Sequence, residues 1–149
     1  MNYLLIGGAD GALKREVIRL YARKLNQSAD FDLVKGKVPD KESEPFTCAF
    51  TNRITQKTVW INSEKLTPAV FQEITYFKST YPPNDVIVTL IPSPDAPDRT
   101  TLMENFDVTP DDDALEISLD NLPGSDASHL KHAADELEDI LTKAPYNLL

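Results

Sequence analysis

Residues 7 to 15 read Gly7-Gly8-Ala9-Asp10-Gly11-Ala12-Leu13-Lys14-Arg15, residue types that suit an anion. Glycines let a backbone approach a phosphate closely, and a helix starting beyond them offers free N–H groups and the positive end of its dipole. Lys14 adds an ammonium to that helix start. Other groupings offer less chemistry. His129, His132 and Glu136 share one side of an expected helix, and two imidazoles with a carboxylate suit zinc. No further ligand accompanies them, and they lie on a polar, solvated face. Asp111-Asp112-Asp113 lacks the alternating spacing and distal glutamate of a calcium loop. The two histidines sit together with no nucleophile motif, so no Ser-His-Asp or Cys-His arrangement can be built.

The elements that must position the glycine turn follow from periodicity. Asn2–Gly7 is a short apolar run ended by glycines, as a buried strand requires. After Ala9-Asp10-Gly11-Ala12 a helical pattern runs to about Asn26: Leu13, Val17, Leu20, Tyr21 and Leu25 follow the period, with Lys14, Arg15, Arg19 and Arg23 opposite them. Phe31–Val38 reads as a second strand. Phe46–Phe50 and Thr58–Ile61 flank a polar turn and form a hairpin or meander. Thr67-Pro68 starts a helix, threonine at the cap and proline at the first helical position. Asp85–Ile91 is apolar on both faces, as a central strand should be. Residues 92–113 carry four prolines and little periodicity, a long loop that suits either a binding lid or a mobile segment. Ala114–Leu119 alternates apolar and polar residues, and Ser125 or Asp126 caps a final helix. The order β-α-β-(ββ)-α-β-β-α predicts a single α/β domain over residues 1–149, a three-layer sandwich with a mostly parallel sheet.

The opening stretch resembles the atypical short-chain dehydrogenase/reductase proteins, whose turn is Gly-x-x-Gly-x-x-Gly. Gly8 and Gly11 match the first two glycines, and Lys14 stands where the third should be. The resemblance covers residues 1–38 and implies a Rossmann-like fold. It places the pyrophosphate of a dinucleotide over Gly8, Gly11 and Lys14. After the second strand such proteins carry an acidic residue for a ribose hydroxyl or a basic one for a 2′-phosphate. Lys35 and Lys37 occupy that region, which makes NADP the expected cofactor. The family's Tyr-x-x-x-Lys pair is missing, since Tyr21 and Lys24 are one residue too close, so reductase activity is not implied. The same turn reads as a broken phosphate-binding loop: Gly8 and Lys14 fit, but Leu13 replaces a glycine and Arg15 replaces the hydroxyl that holds magnesium. A tight strand-to-helix turn without a ligand also accounts for these glycines.

Bulk properties narrow the partners. The chain has 149 residues, 41% of them hydrophobic and 26% charged, a globular composition. The lone Cys48 excludes an internal disulfide and a cysteine-based zinc site. Tyr3–Ile6 is too short for a signal core, and nothing approaches a membrane span. A cytoplasmic setting is expected. Net charge is −9, all of it from the last third: residues 1–100 carry 13 basic and 12 acidic side chains, residues 101–149 carry 2 and 12. An acidic surface disfavours nucleic acid and anionic membranes. Two functions are therefore expected. One is a nucleotide- or dinucleotide-binding-like domain without standard reductase or kinase catalysis, in a regulatory or sensing role. The alternative is an interaction module whose acidic C-terminal surface meets a basic protein partner.

Overall fold

The computed structural model describes residues 2–7, 11–41, 45–80, 86–90, 97, 100–101, 104, 113–118, 134–135 and 138–139. Its elements are β1 (Asn2–Gly7), α1 (Gly11–Gln27), β2 (Phe31–Gly36), β3 (Thr47–Asn52), β4 (Thr58–Asn62), α2 (Pro68–Thr80), β5 (Val86–Leu90) and β6 (Asp113–Ser118). The strands form one sheet in the order β2-β3-β4-β5-β1-β6.

That sheet is mixed. β4, β5, β1 and β6 run parallel, whereas β2–β3 and β3–β4 are antiparallel pairs. The expected mostly parallel, Rossmann-like sandwich is thus overturned. A Rossmann-like sheet sets the second strand beside the first; here β1 lies between β5 and β6, and β2 sits at the far edge. Composition supplies the physical reason. Phe-Asp-Leu-Val-Lys-Gly cannot be covered on both faces, and residues 32–36 are all exposed. Every residue of β4 is buried, as are Val86, Ile87 and Val88 of β5. Doubly covered positions go to apolar runs, and the charged strand is left at the rim.

The helices cover opposite faces. On one, Val17, Ile18, Tyr21, Ala22 and Leu25 of α1 pack on Cys48, Phe50, Val59, Ile61, Val86 and Val88, with Ala134 joining them. On the other, Val70, Ile74 and Phe77 of α2 pack with Leu66 on Ala49, Trp60 and Ile87. A side chain of this size contributes about 1.5–3 kcal/mol when fully buried. Thr67 opens α2 as its spacing predicts, its Oγ1 accepting from the Val70 N–H at 3.3 Å.

Two local devices fix the antiparallel half. In the β3–β4 turn, Asn52 Oδ1 accepts from the N–H groups of Ile54 (2.9 Å) and Thr55 (3.2 Å), which lets Gln56 adopt φ 62°. At the end of β2, Gly36 has φ +70°, and a Cβ there would stand 2.2 Å from the Thr47 carbonyl oxygen. Only glycine fits.

Candidate functional site

The parallel strands place a row of residues level with one another near their carboxyl ends. Asn62 of β4 pairs with Thr89 of β5, Thr89 with Leu5 of β1, and Leu5 with Glu116 of β6. Gly7 ends β1 two residues beyond that row, opposite Ser118. The chain then enters α1 at Gly11. In α/β sheets this edge is where ligands bind, because the loops leave it towards opposite faces. Here β1 feeds α1 on one face and β4 feeds α2 on the other.

Polar side chains brace the edge from below. Asn62 Nδ2 donates to Thr89 Oγ1 and to the Glu64 carbonyl, both at 2.9 Å, and its Oδ1 accepts from the Glu64 N–H at 3.0 Å. Ser63 Oγ accepts from the Phe46 N–H at 2.8 Å and donates to the Phe46 carbonyl at 3.1 Å. Asn62, Ser63 and Thr89 are all fully buried. Such groups persist in a core only when hydrogen-bonded, so they set the strand ends rigidly. The periodicity reading did not single these residues out. The available signal was a polar residue closing or interrupting an apolar run, after Val59-Trp60-Ile61 and within Val86–Leu90.

The predicted ligand residues separate into two groups. Gly11 is the first residue of α1 and Lys14 stands in its first turn, which contains no acidic residue. Gly8 lies outside the described residues. Lys35 and Lys37 are exposed at the carboxyl end of β2. β2 runs in the same direction as β1, but β3, β4 and β5 separate them, a distance of about 19 Å at ordinary strand spacing. The structure does not bring Lys35 and Lys37 to the β1 turn. Instead the Lys35 ammonium rests 5.3 Å from the centre of the Tyr76 ring, a cation–π contact.

Arg19, expected among the solvated residues of α1, is buried. Its guanidinium clasps Glu16 through bonds of 2.6 and 2.9 Å and donates to the carbonyls of Pro39 (3.3 Å) and Asp40 (3.2 Å). This bidentate pair anchors the segment after β2 onto α1. At the other end of α1, Lys24 pairs with Asp135 and, at 2.8 Å, with Glu138. Part of the acidic C-terminal charge is therefore neutralised within the molecule. These carboxylates hold the Lys24 ammonium above its ordinary pKa. Burial, with Glu138 adding to it, raises the Tyr21 phenol well above the usual range. Among the described residues the Tyr21 hydroxyl has no hydrogen-bond partner.

Asp111, Asp112, His129, His132 and Glu136 lie outside the described residues; Asp113 opens β6. Among the described residues no cluster of three metal-ligating side chains occurs, and no helix is long and apolar enough to cross a membrane. Comparison with protein-family models, curated proteins and solved structures finds no match.

Proposed function

We propose that the chain binds a phosphate-bearing small molecule of the nucleotide class at the carboxyl edge of its parallel strands, as a sensing or regulatory module. The observation that carries this reading is the setting of the glycine turn. β1 lies between parallel β5 and β6, ends at Gly7, and passes into the 17-residue helix α1 at Gly11. The first N–H groups of such a helix have no partner within it, and its dipole is positive at that end. Lys14 supplies a cation there, and Asn62 and Thr89 fix the neighbouring strand ends.

The ligand is a mononucleotide or a smaller phosphate ester rather than NADP, because Lys35 and Lys37 are too distant to take a 2′-phosphate. Standard phosphoryl transfer is not part of the proposal. Leu13 stands where a phosphate-cradling glycine belongs, and Arg15 where a magnesium-holding hydroxyl belongs. Thermal denaturation of the protein with ATP, GTP, NAD and NADP tests the reading. ATP or GTP at millimolar concentration raises the midpoint, and Lys14→Glu abolishes the rise. No shift with any of the four would sink it.

A further inference from the structure

The large hydrophobic side chains exposed among the described residues gather at the β2 side of the sheet. Leu33 (39% exposed) and Val34 (48%) lie on β2 itself. Ile54 (76%) lies in the turn whose Arg53 N–H donates to the Asp30 carbonyl just before β2. Tyr76 (59%) lies under Lys35. Among the described residues β2 pairs with β3 alone. Its outer backbone groups therefore present a ready template for another strand.

The bulge in β2 determines which strand fits. Asp32 pairs with Thr51 and Leu33 with Phe50, then the register shifts so that Lys35 pairs with Ala49 and Gly36 with Cys48. Thr51 and Ala49 are two residues apart on β3, so Asp32 and Lys35 occupy the same face of the sheet, the one covered by α2. Without the extra residue, positions 32 and 35 would lie on opposite faces. Phe31 and Gly36, partners of Asn52 and Cys48, likewise share the α1 face. The strand Phe31-Asp32-Leu33-Val34-Lys35-Gly36 is thereby self-complementary in an antiparallel sense. About a twofold axis between Leu33 and Val34, Asp32 meets Lys35, Leu33 meets Val34 and Phe31 meets Gly36. Opposite charges and apolar pairs directly across from one another are what stabilise antiparallel strands, and a twofold axis makes both halves identical.

We propose that the β2 edge is a self-association surface, on which a second copy of this chain adds its own β2 to give a continuous sheet through two molecules. Tyr76 holds the Lys35 ammonium at the edge. Asp32 is held ionised by Arg53, whose guanidinium donates to it, so both charges stand ready for the partner. The contact is one short strand per molecule, small against the area of stable interfaces, and the dimer is weak and reversible.

Sedimentation velocity over a concentration series tests this with the full chain. The wild type moves from 16.6 kDa towards twice that mass. Asp32→Lys and Lys35→Asp, each opposing like charges across the axis, weaken association by about tenfold or more. The double variant Asp32→Lys/Lys35→Asp restores it, and circular dichroism verifies that all four proteins are folded. A wild type that stays monomeric up to millimolar concentration, association unmoved by the single changes, or a double variant that does not recover would each overturn the proposal.

Discussion

Asn62 Nδ2 donates to Thr89 Oγ1 at 2.9 Å, joining the last residue of β4 to β5 with both side chains fully buried. The same amide closes the turn to Glu64 through two further bonds. Asn62→Ala therefore strips the Glu64 backbone of its side-chain partner and leaves a buried void. The expected loss is about 2–3 kcal/mol of unfolding free energy, measured by urea denaturation. A loss below about 0.5 kcal/mol would show that the brace does not matter for stability.

Gly36 is the residue whose replacement the backbone forbids. Its φ of +70° disfavours any side chain, and the added methyl would meet the Thr47 carbonyl at 2.2 Å. Gly36→Ala is expected to cost about 1–3 kcal/mol, since conformational strain and the clash act together. Equal denaturation midpoints for the two proteins would contradict the geometry.

How far could such sites be foreseen? The elements themselves were legible. An apolar run ended by glycine marks β1, an apolar run closed by Pro92 marks β5, the 3.6-residue stripe marks α1, and Thr67-Pro68 marks the start of α2. What was not legible is which strand lies beside which. Periodicity reports how many faces of a strand are covered, and it says nothing of neighbours. The charges in β2, at Asp32 and Lys35, suit the rim position it takes, but the resemblance at Gly8 and Gly11 set β2 beside β1. That placement made Lys35 and Lys37 ligand residues. Burial of Arg19 was hidden for a related reason: a helical wheel shows its side, not the Pro39–Asp40 segment that folds over it. Asn62 and Thr89 escaped notice because a polar residue at a strand end looks alike whether it faces solvent or a core.

Lys24 gives a pH dependence of definite sign. Hydrogen bonds that its ammonium donates to Asp135 and Glu138 raise its folded pKa above the ordinary 10.5. The folded state thus binds the proton more tightly, and the stabilisation is present in full below the unfolded pKa. It is lost as the pH rises through the folded one. The side chain is about one-third exposed, so solvent screening keeps the contribution under about 1 kcal/mol. Lys24→Met should be less stable than wild type at neutral pH, with the gap closing above pH 10.5. A gap that stays constant through that range would refute the assignment.

Cys48 reports on opening of the core. It is fully buried between α1 and the sheet, and burial pushes its thiol up to about 12. The reactive thiolate is scarce in the native state at neutral pH. Alkylation by iodoacetamide should track the unfolded fraction across a urea titration, with negligible labelling before the transition. Rapid labelling of the native protein would place Cys48 outside the core.

The proposal of a nucleotide site at the end of β1 is tested most directly by titrating ¹⁵N-labelled protein with ATP and following amide shifts. The geometry predicts saturable changes confined to Gly7, Gly11–Lys14 and the strand ends at Asn62 and Thr89, with Lys35 and Lys37 unmoved. Shifts centred on β2, or none at millimolar ATP, would contradict a ligand site at the carboxyl edge.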